Sequence, residues 1–340
     1  MSVMGKERRL IGGAVLLGLP IVLFLLSFLV GRYPVPPLTV IRIIAAQFLP
    51  IEPDWPPLVA SVVLDVRLPR LLAGMAVGGG LALAGACYQG VFRNPLVSPF
   101  TLGVSAGAGF GAAVAILLFE QHYATQALAF VFGLAAVALC FFMNRLYRAG
   151  STLVLVLAGI IVSSLFTALL SLLKYVADPH SKLPVIEFWL LGSLSAVSME
   201  DVVVVLIVMI PASILLLLLR WRINILSLGD EQAGILGLEV GRLRFLIVLL
   251  ATLVAASTVA ISGIIGWVGL VIPHFARILV GPDFRKLLPT TLSLGACYLL
   301  LIDDIARTVT AAEIPLGILT ALVGAPAFML LLRRGSLGWA

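Results

Sequence analysis

Charge is what this chain has least of. Asp, Glu, Lys and Arg make up 11% of its 340 residues, against about 25% in soluble globular domains. So few charges cannot clothe a water-facing surface, and 61% of the residues are hydrophobic, with a strongly positive mean hydropathy. A soluble fold is excluded; the chain is an integral membrane protein. Histidine and cysteine are sparse too, three of each. His122, His180 and His274 stand far apart, so they read as surface or helix-end residues rather than as a three-histidine metal site. Cys87, Cys140 and Cys297 each lie inside an apolar run, with no metal-ligand spacing and no disulfide framework. They read as buried, inert thiols.

Catalytic motifs are missing as well. No G-x-x-x-x-G-K-[ST] phosphate loop occurs, and Lys6, Lys174, Lys182 and Lys286 all lack its context. H-E-x-x-H and G-x-S-x-G are also absent. The chain is therefore not read as an enzyme, no metal or cofactor is expected, and ATP-driven work would need a separate ATPase chain. Ion-coupled transporters accept about 2.5–3.5 kcal/mol to hold a charge at mid-membrane. This sequence has almost no acid or histidine at such a depth. That argues against an ion-coupled secondary transporter. The +6 net charge is scattered at helix ends, which writes membrane orientation and is no nucleic-acid signal.

Long apolar runs are what the chain does have. A bilayer core about 30 Å thick needs roughly 20 residues per helix. Ten spans are expected, at 10–30, 71–92, 100–119, 124–144, 152–176, 202–219, 243–262, 264–280, 288–302 and 316–332. The first is too long for a signal-peptide core and reads as retained. Residues 31–66 form the longest non-spanning piece, rich in proline, and 38–49 could lie along the interface as an amphipathic helix. With the N-terminus inside, 15 of the 22 Lys and Arg fall on the inner side. The outer ones are Arg32, Arg42, Arg67, Arg70, Lys174, Lys182 and Arg307. The positive-inside rule thus puts both termini in the cytoplasm. Ten spans divide into two halves of five, which would be inverted repeats, a common transporter plan. The fold class is all-α integral membrane, one domain over 1–340.

Three stretches stand out. Gly74, Gly78, Gly79, Gly80, Gly85 and Gly90 share one span, and Gly103, Gly107, Gly109 and Gly111 the next, as close helix packing requires. Between them lies a polar break, 89–99, holding Arg93-Asn94-Pro95. Irregular backbone at membrane depth is tolerated only inside protein or beside water, so this break suits a cavity or gate. The inner connection 220–244 is the largest cytoplasmic feature, and its apolar residues alternate with Asp230, Glu231 and Glu239. Gly229, Gly234, Gly237 and Gly241 divide it into two very short helices, a surface suited to binding another protein. Asp303, Asp304, Arg307 and Glu313 cluster at the outer end of the ninth span, by default a local ion pair. Their sharper reading is a docking patch.

Ordered motifs from Arg67 onward resemble the permease subunits of type II ABC importers, the group carrying iron–siderophore, haem and vitamin B12 uptake. They are Arg67-Leu68-Pro69-Arg70, Arg93-Asn94-Pro95-Leu96 followed by Leu102-Gly103, Leu228-Gly229 to Leu236-Gly237, and Gly269-Leu270-Val271-Ile272-Pro273-His274 with Arg277. Leu287-Leu288-Pro289, Asp304-Ile305-Ala306-Arg307, Glu313-Ile314-Pro315-Leu316-Gly317 and Gly324-Ala325-Pro326 complete the set. The chain departs from the pattern at Val97-Ser98-Pro99, at Asp283-Phe284-Arg285, and in the doubled acid Asp303-Asp304.

The resemblance implies a multi-pass subunit of a prokaryotic inner membrane, surrounded by lipid. It would pair with a second copy or a close paralogue, two ATP-binding subunits and an extracytoplasmic substrate-binding protein. Arg67, Arg70 and Arg307 fall where the family docks the binding protein. Asn94, Leu96, Ser151 and Thr152 fall at the cytoplasmic gate. Residues 226–240, with Leu226, Leu228, Gly229, Ala233, Leu236, Gly237 and Leu238, fall on the coupling helices that meet the ATPase. The expected substrate is a metal chelate, an iron–siderophore first, with haem, cobalamin and molybdate or tungstate as alternatives. A scaffold or receptor that moves nothing would fit the contact patches but leave the Asn94-Pro95 break without purpose.

Overall fold

A computed structural model describes residues 18–146 and 152–333. Among these, every regular element is a helix. In chain order they are α1 (Gly18–Ser27), α2 (Pro37–Ala45), α3 (Pro57–Phe92), α4 (Val104–Leu118), α5 (His122–Leu146) and α6 (Thr152–Val176). Then come α7 (Lys182–Leu191), α8 (Met199–Leu228), α9 (Asp230–Ile235), α10 (Val240–Ser262), α11 (Val268–Val280), α12 (Phe284–Thr308) and α13 (Leu316–Arg333). Six of them, α3, α5, α6, α8, α10 and α12, are long and apolar enough to cross a membrane. The helices α1, α4, α11 and α13 are apolar but shorter. Each expected span overlaps one of these ten, although residues 10–17 of the first lie outside the described set. A helix, α2, covers much of the stretch 38–49 where an amphipathic one was expected.

The helix α3 is the centre of the bundle. It runs 36 residues, about 54 Å at 1.5 Å per residue, and starts at Pro57 rather than at 71. The difference has a local cause. Pro69 has no N–H to donate, and its ring would collide with a carbonyl four residues back in a regular helix. Ahead of it, Val62–Arg67 widens into a π-helical turn, with Leu68 N–H bonded to Val63 O. The ladder opens there, and the helix continues through the proline. The most apolar window of α3 is 89% buried, against 28% for α5 and α6, so α3 is core and those two are periphery.

Glycines bring the backbones together around α3. A Cβ on Gly85 would overlap the backbone of Gly269 in α11, and one on Gly78 would overlap Gly295 in α12. The outer ring instead shows apolar side chains, among them Val131, Leu165, Val203 and Ile207, as a lipid-facing surface would. The three cysteines are buried and unpaired.

Two unwound segments interrupt the bundle, 93–103 before α4 and 263–267 before α11. Backbone groups so placed need internal partners. Thr101 N–H donates to Ser98 O at 3.0 Å, Gly103 N–H to Phe100 O at 3.1 Å and Gly263 N–H to Val259 O at 2.9 Å. Beside the second segment, Ser193 N–H donates to Ser262 O at 2.8 Å and Leu316 N–H to Gly192 O at 2.9 Å. At one end of α8, a capping box joins Ser198 and Asp201. Asp201 also accepts from Gln126 Nε2 at 2.8 Å, which ties α5 to α8.

Candidate functional site

The break after α3 is a built turn rather than a loose loop. Arg93 adopts the left-handed conformation, φ 49° and ψ 37°. Asn94 N–H donates to Gln89 O and Arg93 N–H to Gly90 O, the paired bonds that finish a helix in this way. Asn94 Oδ1 accepts from Leu96 N–H at 2.9 Å, an Asx turn that holds the next residues in place. Leu96 is exposed beyond it. Thr152 opens α6, and Ser151, the remaining gate residue, lies outside the described residues.

On its inner face the turn is gripped by α11. His274 Nε2 donates to Pro95 O at 3.0 Å; a carbonyl only accepts, so this nitrogen carries the proton. Arg277 donates to Gln89 Oε1 at 2.9 Å, and Gln89 Nε2 donates to Leu270 O at 3.3 Å. Gln89, His274 and Arg277 are all buried. His274, expected at the surface or a helix end, is instead buried inside α11, which is a correction; Arg277 does lie in the last turn of that helix, as expected of a basic residue, but buried. Their spacing of three residues puts them on one helical face. That signal, set opposite a polar Gln89 inside an apolar run, was available in the sequence.

The inner connection differs from expectation in one respect. It holds one short helix, α9, and not two; the second expected helix is the first turn of α10. Gly234 stays helical and breaks nothing, while Gly237, at φ 81°, ends the turn. Leu226 and Ala233 are buried and anchor the segment. Leu228, Ile235 and Leu236 are exposed, Leu238 is half-buried, and Gly229 turns the chain between α8 and α9 at φ 128°. Asp230 Oδ1 lies 2.6 Å from an Arg244 nitrogen and 3.9 Å from an Arg93 nitrogen.

At the opposite end of α3, Arg67, Arg70 and Arg307 are buried together. Arg70 pairs with Asp303 and with Glu313, each at 2.9 Å. Arg307 lies 3.6 Å from Asp303 and pairs closely with Asp304. Arg67 donates to the carbonyls of Phe28 and Tyr33. Ser27 Oγ donates to Asp304 Oδ2 at 2.7 Å, so α1 joins the same network. The three arginines are thus brought together, engaged with the chain's own acids and carbonyls.

Outside the spans, Asp283 caps α12. Burial alone would raise its carboxyl, but bonds from Arg285 N–H and Asn224 Nδ2 outweigh that and hold it below the usual carboxylate range.

The chain as a whole is similar to known proteins. The pattern of the FecCD transport family matches residues 19–334. The chain belongs to the FecCD transport family. The molybdate import system permease protein MolB of Haemophilus influenzae is 43% identical over 329 residues, 95% of this chain and 97% of that one. A probable iron chelatin transport system permease protein of Helicobacter pylori is 43% identical over 273 residues, 80% of this chain and 82% of that one. A solved structure described as an inward-facing conformation of a metal-chelate type ABC transporter superposes with a TM-score of 0.85. It is 41% identical and covers 96% of this chain and 99% of its own. This FecCD chain is therefore a permease of the ABC importer kind that its motifs resemble.

Proposed function

We propose that the chain is the membrane subunit of an ATP-driven importer, and that it passes a metal-bearing solute from an external binding protein to the cytoplasm. The observation that carries this reading is the turn at 93–96, an ordered interruption at the end of the most buried helix, held on one side by α11 and next to the exposed inner helix α9. A scaffold needs no such turn. Two ATPase subunits would bear on Leu228, Ile235 and Leu236, which face outward around a glycine-framed helix. A second copy of the chain, or a close paralogue, would cover α6, whose uncovered face carries Ser164, Thr167 and Ser171. Hydroxyls on that face suit a solute path better than lipid.

Ten spans in two inverted halves, with both termini cytoplasmic, remain the topology proposed. Its support is that the third helix of each half, α4 and α11, is short, follows an unwound segment, and starts after a residue of positive φ, Gly103 and Trp267. Interrupted helices at matching places in two halves mark the substrate region of such transporters. Arg67, Arg70 and Arg307 are proposed to shape the outer face that receives the binding protein.

The substrate is proposed to be an iron chelate, the class named for the Helicobacter relative. A second reading, molybdate, is favoured by the relative that matches over 95% of this chain. Purifying the partner binding protein and measuring its bound iron and molybdenum separates the two. Reconstituted vesicles test the mechanism: uptake should require both ATP and the binding protein and should survive collapse of ion gradients. Uptake that follows a proton or sodium gradient without ATP overturns the reading.

A further inference from the structure

We propose that Asp230 is a shared carboxylate that links the inner helix to the gate turn, exchanging its hold on Arg244 for one on Arg93 as α9 moves. The proposal rests on the importer reading above and adds the contact through which motion would pass. Asp230 is the first residue of α9. A single oxygen, Oδ1, faces both guanidinium groups, 2.6 Å from Arg244 and 3.9 Å from Arg93. The two arginines belong to different parts of the frame. Arg244 lies in α10 with its side chain only 10% exposed, while Arg93 ends α3 with its side chain 40% exposed. One is fixed by packing; the other has room to swing.

The distances set the size of the exchange. Charge-assisted N–H···O bonds run about 2.7–2.9 Å, so a displacement of about 1 Å toward Arg93 completes that bond and stretches the one to Arg244. Small shifts of packed elements between two discrete arrangements are how such proteins switch. A Cβ on Gly229 would first overlap the Gln232 side-chain oxygen and would also sit 3.2 Å from an Arg93 nitrogen, and the φ of 128° at Gly229 suits glycine in any case. Arg93 directly precedes Asn94, and on the other side of the turn His274 holds Pro95 O at 3.0 Å. The gate turn is therefore held by α11 and faced by α9, and only the α9 side is a contact between exposed charges. Asp230 and Arg93 act as positioning residues, each through the turn that Arg93 begins.

The test uses the complete transporter, this chain with its ATPase subunits and binding protein, in vesicles. Solute moved per ATP hydrolysed is compared for the parent chain, Arg93→Gln, Arg93→Lys, Asp230→Asn and the Arg93→Gln/Asp230→Asn double variant. Arg93→Gln and Asp230→Asn should hydrolyse ATP near the parent rate yet move about fivefold less solute per ATP. The double variant should be no worse than the worse single one, because both act through one pair. Arg93→Lys should keep most of the coupling. An unchanged ratio in Arg93→Gln overturns the proposal, as do additive losses in the double variant or an equal loss in Arg93→Lys. Should Asp230→Asn fail to assemble for want of its Arg244 partner, the exposed Arg93 variants still decide. A parent chain that shows no ATP-dependent uptake overturns the importer reading itself, a different result from a coupled parent with indifferent variants.

Discussion

A Cβ built on Gly78 would overlap the carbonyl oxygen of Gly295, and one built on Gly295 would overlap the carbonyl oxygen of Gly78. The contact between α3 and α12 is backbone on backbone, so no flexible side chain can give way. Gly78→Ala or Gly295→Ala must push the helices apart. Overpacking of this kind costs about 1–3 kcal/mol, and a backbone neighbour puts these sites at the upper end. Gly234→Ala is the control. Nothing lies within 4 Å of its Cβ position, and alanine is better than glycine in a helix by up to about 1 kcal/mol. Melting of the purified protein should fall for the first two and hold or rise for the third. Equal melting for all three would mean that the two helices do not meet at glycine.

Arg70 and Asp303 form a buried pair, with side chains 8% and 1% exposed. Removing one partner of such a pair costs about 3–5 kcal/mol, because the other charge is left buried alone. Arg70→Met should therefore melt well below the parent, and Arg70→Met/Asp303→Leu should recover much of the loss. The same burial shapes the docking test. Reversing Arg67 and Arg70 to Glu weakens binding-protein capture and lessens its salt dependence if they dock a partner. Melting must be recorded on the same samples. Lost capture with unchanged melting supports docking; lost melting assigns the arginines to internal bonds, Arg70 to Asp303 and Glu313 and Arg67 to the carbonyls of Phe28 and Tyr33.

What the sequence disclosed followed from patterns that survive without tertiary context. Apolar runs located the helices, the glycine density of 74–90 marked the packed core, and Asn94-Pro95 marked the break. What it hid depended on neighbours distant in sequence. The start of α3 was masked by prolines that a π-helical turn accommodates. His274 passed for a surface or helix-end residue, and the burial of Arg277 at its helix end went unseen, because their partners, Pro95 and Gln89, lie far back in the chain. Arg70 read as an outward arginine because nothing local announces Asp303 and Glu313 as its partners. Gly234 read as a breaker because a glycine in a helix and a glycine between helices look the same in one dimension.

Asp283 gives the protein an acid-sensitive seam at the N-terminal end of α12. Its carboxylate accepts from Arg285 N–H at 3.0 Å and from Asn224 Nδ2 at 2.7 Å, joining α12 to α8. The folded carboxyl lies below the unfolded value of about 3.9. Its contribution is therefore complete above about pH 4 and is lost as pH falls through the folded value. Asp283→Asn should melt below the parent at pH 7, with the gap shrinking as the pH approaches 3. A gap of constant size across that range would show that the charge plays no part in the cap.

Leu236 tests the proposed ATPase contact. It is 59% exposed at the end of α9, beside Ile235 at 81%, while Ala233, three residues back, is fully buried. The two positions separate contact from stability. Leu236→Asp places a charge where water already reaches, so folding should be untouched and melting unchanged. An apolar anchor lost from a protein contact costs more than about 1 kcal/mol only when it sits at the centre of that contact. If α9 seats in the ATPase, Leu236→Asp should release hydrolysis from transport or weaken co-purification of the two chains. Ala233→Asp should instead lower melting before any contact is tested, because it buries an unpaired charge. Normal coupling in Leu236→Asp, with melting intact, would move the ATPase contact away from this helix and leave Asp230 without a moving partner to report.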